Sequence, residues 1–524
     1  MGEETLIEKA KKLINPQEEI KSKLQKHQLD YFSNRNFTEI DIDTLHSLYR
    51  TIEGSEDNLE KELEEKIINE LAKREPVDKN YRGTKVTASV HINGENLEAL
   101  TFSQVQKEIE KYIPNSSNIL KIALAIIACS NFRQKVMLWL LLVGAPSSGK
   151  TDILKLFKHS NNVYFLDSLT LNAFISGERE TDKTKVYDLL PQVNNKCLII
   201  KDWTVLFSLD ERMTKKILGD MVGSYDEELT KFSSRRGQIT YDSYFSQLGA
   251  ITPATLNKHT QYLNMVGPRF LFYTMPNLTE EQENQGFENI FSQKDRKKIE
   301  KELAQLVSAY IDLLSLNSPS IKEFSKETQE QFKVASRLMA RGRGIVIMNS
   351  ATFEKKVGDE IEKISYYELQ EVQIEHPFRA IQQLILLAQY LAYVSNKIEV
   401  TQEEMEIIKE IVISSMPADR SQALRVIINM GGVITAKELA SSDNFERSIK
   451  TARRLLDELT YLKILKKEQT IGGTIPTGYE IREEFKEFLI GVTDVKKDDS
   501  SVHSRLLLSP YSNEQEVIDD KLPF

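Results

Sequence analysis

The chain has 524 residues, 40% hydrophobic and 28% charged, with 69 Lys+Arg against 78 Asp+Glu and a formal net charge of -9. The length predicts about three or four folded units, and the composition excludes a disordered chain or one wholly coated in positive charge for nucleic acid. Cys129 and Cys197, the only cysteines, exclude a disulfide framework and a four-thiolate zinc site, and suit a reducing cytoplasm.

The charged start MGEETLIEKAKKL lacks the apolar run of a secretory signal. The most apolar windows, 119–129 and 136–143, fall short of the ~20 residues a membrane helix needs. The expectation is a soluble, cytoplasmic protein with no membrane partner.

Residues 1–115 read as a mostly helical region. Leu59, Leu63, Ile67, Ile68 and Leu71 recur at helical spacing within 56–75. Residues 81–100 are strand-like, with a turn expected at Asn93 and Gly94. From 116 to 278 apolar β-like runs alternate with helical ones, which predicts an α/β unit with a parallel sheet. Residues 279–416 read as a mostly helical lid, with capping boxes at Thr279 and Gln282 and at Thr401 and Glu404. In 417–490 a helix SQALRVII precedes a capping box at Thr435 and Glu438. A third helix there carries Ile449, Ala452, Leu455, Leu456 and Leu459 on one face. Two short strands, KILKKEQ and TGYEI, follow, which is the order of a winged helix-turn-helix. Residues 491–524 read as a loose tail.

One motif dominates the chemistry. Gly144-Ala145-Pro146-Ser147-Ser148-Gly149-Lys150-Thr151 matches G-x-x-x-x-G-K-[ST] between an apolar run, LWLLLV, and the helical DILKLF. Glycines let such a backbone wrap a phosphate, Lys150 would reach the β- and γ-phosphates, and the Thr151 hydroxyl would ligate Mg²⁺. Asp202, at the end of CLIIK, supplies a carboxylate for that metal. Thr252 ends FSQLGAI, where its hydroxyl would sense the γ-phosphate, and Arg269 opens RFLFYTMP. No H-E-x-x-H or G-x-S-x-G occurs, so metalloprotease and hydrolase-elbow chemistry have no support.

From about residue 118 to 490 the chain resembles the AAA+ ATPases, and most closely the minichromosome-maintenance-like and superfamily-3-like members of phages and mobile elements. The resemblance rests on GAPSSGKT, LIIKDWT, ITPA, GPRF, HPFRAIQQLILLAQYLA and VTQEEMEIIKEIVISSMP. It implies ATP and Mg²⁺ as cofactors and a homo-hexamer or other ring. Arg269 would be a finger on the neighbouring subunit's γ-phosphate, and Arg379, opening a lid helix, a second sensor. The chain departs from that pattern at Trp203, where many such ATPases carry the Glu that polarises water. Asp202 itself, Asp226 or Glu227 are the alternatives for the base. Glu211 suits less, because Ser208 and Glu211 read as a capping box.

DNA is the expected substrate. Lys231, Arg235 and Arg236, with Gly237 at a turn, lie where related helicases place a pore hairpin, within 231–245. In the winged-helix segment Arg447, Lys450 and Arg454 form one stripe of a basic recognition helix and wing. The expectation is an ATP-dependent DNA motor, a replicative helicase or initiator of a mobile element. The alternatives are an ATP-switched DNA-binding protein that does not unwind, and a protein-remodelling or defence ATPase.

Overall fold

In the computed structural model the described residues are 100–176, 188–259, 267–292, 296–316, 318–357, 360–443, 445–468 and 478–491, with two short strands at 90–92 and 95–97. The helix expected at 56–75 and the tail from 492 lie outside them. Those two strands, β1 (Val90–Ile92) and β2 (Glu95–Leu97), pair antiparallel, as the strand-like reading of 81–100 expects; Asn93 and Gly94 are outside the described residues. Helix α1 (Phe102–Glu110) starts at a capping box between Thr101 and Gln104. Helix α2 (Ser117–Ser130) is apolar on most of its surface, with Lys121 its one charged residue, and it is buried from Ile119 to its end.

Five strands form the central sheet: β3 (Trp139–Val143), β4 (Val163–Leu166), β5 (Lys196–Ile200), β8 (Phe245–Ile251) and β9 (Phe270–Thr274). All pair in parallel, in the order β4-β5-β8-β3-β9. Strands covered on both faces read as continuous apolar runs, and WLLLV does. Side chains alternate along β3, so Leu138, Leu140 and Leu142 enter one core while Trp139, Leu141 and Val143 enter another. The first core continues through α2 into the later helices; the second lies under the segments that follow β5. This is a mixed α/β protein built on a parallel sheet.

Short helices hang from the strand ends: α3 (Lys150–Leu156), α4 (Leu189–Val193), α5 (Trp203–Phe207), α6 (Glu211–Ser224) and α7 (Pro253–Lys258). Between α6 and β8 stands an antiparallel hairpin, β6 (Glu228–Ser233) and β7 (Gly237–Asp242). Ser208 and Glu211 do not form the expected capping box. Asp210 caps α6 instead, accepting from Met213 N at 2.9 Å, because the helix starts at Glu211 and Asp210, two residues beyond Ser208, stands next to its first free N–H groups.

After the sheet come α8 (Glu280–Ser292), α9 (Arg296–Leu314) and α10 (Lys326–Gly342). The stretch that follows departs from the helical reading. β10 (Ile345–Val357) and β11 (Glu360–Gln373) form a long antiparallel hairpin with a register shift between Ile347 and Met348. Its β-branched opening, Ile345-Val346-Ile347, behind two glycines favours strand over helix. Helices α11 (Phe378–Val394) and α12 (Gln402–Ser414) resume, the latter from the expected box at Thr401 and Glu404.

The last described elements are α13 (Ala418–Asn429), β12 (Val433–Thr435), α14 (Ala436–Ala440), α15 (Ile449–Tyr461), β13 (Leu465–Glu468), β14 (Gly478–Ile481) and α16 (Glu483–Ile490). The strands form an antiparallel sheet, β12-β14-β13. Ala452, Leu455, Leu456 and Leu459 are buried as expected, but Ile449 is 48% exposed, at the open first turn of α15. Buried Arg420 ties this unit to α10. It donates to the carbonyls of Gly342 and Gly344 and to Glu458 at 3.0 Å. Among the described residues no helix is long and apolar enough to cross a membrane.

Candidate functional site

The loop between β3 and α3 closes around one ammonium group. Lys150 Nζ donates to the Gly144 carbonyl at 2.7 Å, the Ala145 carbonyl at 2.5 Å and Ser148 Oγ at 3.0 Å. Such a wrap needs left-handed backbone at Ser147 (φ 61°) and Gly149 (φ 80°). It also needs a bare Cα at Gly144, where a Cβ would meet Ser148 Oγ at 2.8 Å. Pro146 and Thr151 complete the motif, Thr151 half-buried at the start of α3. Burial lowers the Lys150 pKa, while the field of Asp202 raises it, so the two sequence-distant residues share one site.

Parallel strand ends bring the partners together. Gly144 N donates to the Ile251 carbonyl at 3.2 Å, which straps the loop to the tip of β8, where Thr252 begins. Thr252 caps α7 and exchanges a hydrogen bond with Thr255 Oγ1 at 2.9 Å. Thr255 meets Thr204 Oγ1 at 3.4 Å, and Thr204 N donates to Asp202 Oδ1 at 2.8 Å. The Thr204 backbone N–H and the hydroxyls of Thr204 and Thr255 thus join Asp202 to Thr252 across neighbouring strands. Asp202 Oδ2 accepts nothing from the described residues, so one carboxylate oxygen within the field of Lys150 suits a water-held Mg²⁺.

Trp203 turns away from this site. It is fully buried, 5.0 Å from the Phe270 ring in a T-shaped contact, and it occupies the space a Cβ at Gly249 would fill. Position 203 belongs to the core.

The expected bases Asp226 and Glu227 do not approach the loop of their own chain. Ser243 N donates to the Glu227 carbonyl beside the start of β8, whereas Thr252 follows its end, about 20 Å away along seven residues. Glu227 instead receives Arg133 Nε at 2.6 Å. Arg269 and Arg379 share that far end. Their guanidinium groups lie 5.5 and 5.6 Å from the Tyr225 ring, and Arg269 is 3.8 Å from Asp226. Burial lowers the Arg269 pKa, and the charge of Arg379 lowers it further. Gln383 locks the group, donating to Tyr225 Oη at 3.1 Å and the Arg269 carbonyl at 2.9 Å.

Sequence reasoning missed the cleft beside the loop. A cavity of about 900 Å³ runs from Ser147–Gly149 to Tyr112, Ile113 and Pro114 after α1, and to Phe287 and Ile290 of α8. Asn289 Nδ2 holds α8 to the Lys111 carbonyl at 2.7 Å. Apolar walls beside a phosphate-type loop suit a planar base, but the residues lie on both sides of the motif in sequence, with no spacing to mark them.

The basic residues expected to touch DNA are mostly held by carboxylates. On the β6–β7 hairpin Lys231 pairs with Asp220 at 2.5 Å and Arg236 with buried Asp188 at 2.7 Å; Arg235 is exposed, and Phe232 is 81% exposed. In the C-terminal unit Arg447 pairs with Asp419 at 3.0 Å and Arg454 with Glu458 at 3.3 Å, while Lys450 stands 5.5 Å from the Tyr367 ring. The segment is less basic in the fold than along the chain, because Asp419 and Glu480 reach Arg447 and Lys466 from elsewhere in the unit.

No family model and no curated protein matches this chain. Among solved structures it is similar to a candidate ATPase from Cytophaga hutchinsonii, with 13% identity over 60% of this chain and 85% of that one and a TM-score of 0.32. A likeness that loose carries no argument about function.

Proposed function

We propose that the chain is an AAA+-type ATPase that binds MgATP and works as a DNA motor. One observation carries the reading: the loop wrapped on Lys150 has Asp202 and Thr252 beside it, on neighbouring strand ends. Lys150 would neutralise β- and γ-phosphate charge, and Thr151 and Asp202 would hold Mg²⁺, which supplies electrostatic stabilisation of the transferring phosphoryl group. Thr252 and the hydroxyls of Thr255 and Thr204 would orient water, with Asp202, unlike Asp226 and Glu227, on the loop's side of the sheet to serve as base. Tyr112, Pro114 and Phe287 would receive the base of the nucleotide.

Arg269 and Arg379 sit together at the sheet end opposite the loop. That placement supports action on the nucleotide of a neighbouring subunit in a ring, as a pair. The motor reading, with a mobile element's replicative helicase or initiator as its form, leans on the hairpin and on the winged-helix order of the C-terminal elements. A second reading has a specific observation behind it. The paired cations and the exposed Phe232 favour a hairpin that engages a protein partner.

An ATPase assay with single-stranded, double-stranded and forked DNA separates the two. The DNA reading expects stimulation by DNA and strand separation on the fork. A steady rate indifferent to every DNA would sink it and leave the protein-remodelling reading.

A further inference from the structure

Two guanidinium groups meet where β9 and α11 begin. Arg269 stands directly before β9, and Arg379 lies in the first turn of α11. They carry like charge, and burial together with the field of Arg379 lowers the Arg269 pKa. Asp226, 3.8 Å from Arg269, offsets this only in part, because its side chain is 68% exposed and water screens it.

Tyr225 supplies the attraction that the carboxylate does not. Its ring lies 5.5 Å from the Arg269 guanidinium and 5.6 Å from that of Arg379. Both distances fall inside the ~6 Å reach of a cation over an aromatic ring. The ring itself is fixed on several sides. Tyr225 is buried at the end of α6, and its Oη donates to the Met137 carbonyl at 2.9 Å and accepts from Gln383 Nε2 at 3.1 Å. Trp139 packs against it in a T-shaped contact at 4.8 Å. Burial pushes the Tyr225 hydroxyl up to about 12, against the pull of Gln383 and the arginines, so the side chain stays neutral at pH 7. Gln383 lies one turn along α11 from Arg379 and also donates to the Arg269 carbonyl at 2.9 Å. One glutamine therefore pins the ring, the helix and the entrance to the strand.

We propose that Tyr225 is a positioning residue, whose ring holds Arg269 and Arg379 side by side so that both reach the phosphates of a neighbouring subunit's nucleotide together. That role rests on the arginines serving a neighbour, as proposed for them above. Tyr225 touches no nucleotide itself. Two cations gathered beforehand on a fixed ring need no rearrangement when negative charge develops on the transferring phosphoryl group.

The test uses the full chain, steady-state ATP hydrolysis and equilibrium titration of a fluorescent ATP analogue. Tyr225→Leu should keep analogue affinity within about twofold and lower kcat at least about tenfold. Tyr225→Phe, which keeps the aromatic face, should stay within about threefold of the wild-type kcat. Mixing separates positioning from a purely structural role. Tyr225→Leu chains keep an intact loop, so Lys150→Ala chains, whose arginines are intact, should restore hydrolysis to the mixture. Arg269→Ala chains should not. If Tyr225→Leu loses analogue binding through misfolding, Gln383→Leu, which unpins the ring without removing an aromatic from the core, should show the same pattern of partners. A wild-type rate in Tyr225→Leu or in Gln383→Leu, or Tyr225→Phe as slow as Tyr225→Leu, overturns the proposal. A mixture of Arg269→Ala with Lys150→Ala tests the premise. No recovery there overturns both readings, whereas recovery there and none for Tyr225→Leu with Lys150→Ala overturns the positioning role alone.

Discussion

Lys150 shows what one residue does before any ligand is considered: its ammonium satisfies two loop carbonyls and a hydroxyl that the tight wrap would otherwise leave facing one another. Lys150→Ala should weaken a fluorescent ATP analogue at least about tenfold in an equilibrium titration, roughly 1.4 kcal/mol. An undiminished affinity would remove the loop from the site. Trp203 makes the opposite case. Its missing carboxylate invites the substitution Trp203→Glu as a repair, yet the side chain would land under β8 against Gly249 and Phe270. A buried, unpaired carboxylate together with the lost ring should lower stability by at least about 3 kcal/mol in urea unfolding. No gain in hydrolysis rate should accompany it. A variant as stable as the wild type, with faster turnover, would mean that residue 203 faces the nucleotide after all.

At the scale of elements, α2 and α12 are joined by a buried charge network. Lys121 Nζ reaches Glu403 at 2.6 Å and Glu404 at 2.8 Å, and Lys397 Nζ reaches Glu404 at 2.7 Å. Burial alone would push the Glu404 carboxyl up, but hydrogen bonds from Lys121, Lys397 and Thr401 overcome it and hold the pKa down at about 2. A carboxyl lowered from 4.5 contributes stability that is complete above its unfolded value and is lost as pH falls from about 4.5 towards 2. The loss should amount to about 3 kcal/mol. Chemical unfolding across that window should therefore show a steeper acid loss in the wild type than in Glu404→Gln. Equal slopes would show the network to be idle. Lys121→Met, which removes one of the two ammonium partners of Glu404 and leaves Lys397 in place, should cost about 1–3 kcal/mol at neutral pH.

Over the whole molecule, the parallel sheet separates two chemistries, the loop with Asp202 and Thr252 at one end and the Tyr225 arginines at the other. If the arginines serve a neighbour, Arg269→Ala should slow steady-state hydrolysis by about 10³. Mixing inactive Arg269→Ala with inactive Lys150→Ala chains should then restore activity, because some interfaces join an intact loop to an intact arginine. A mixture no faster than either variant alone would place the arginine's action within its own chain. Arg420, which fastens the C-terminal unit to α10, predicts that this unit unfolds with the rest in one transition.

Much of this was written locally. The loop motif, the strand before it, the capping boxes at Thr401 and Thr435, and three helices and two strands of the C-terminal unit, though not β12 or α16, follow from residue type and spacing, which act over a few neighbours. So does the buried run of β3, because a strand covered on both faces must be apolar throughout. The β10–β11 hairpin was missed because its pairing joins residues up to 28 positions apart, from Ile345 to Gln373, and its charged middle reads equally well as helix. What tertiary structure alone decided is which groups meet: Asp202 with Lys150, Arg269 with Arg379, and the carboxylates that hold the cations of the hairpin and of α15. The reason is physical. Spacing along the chain sets which side a residue faces, but an ion pair or a cleft depends on which distant element that side packs against.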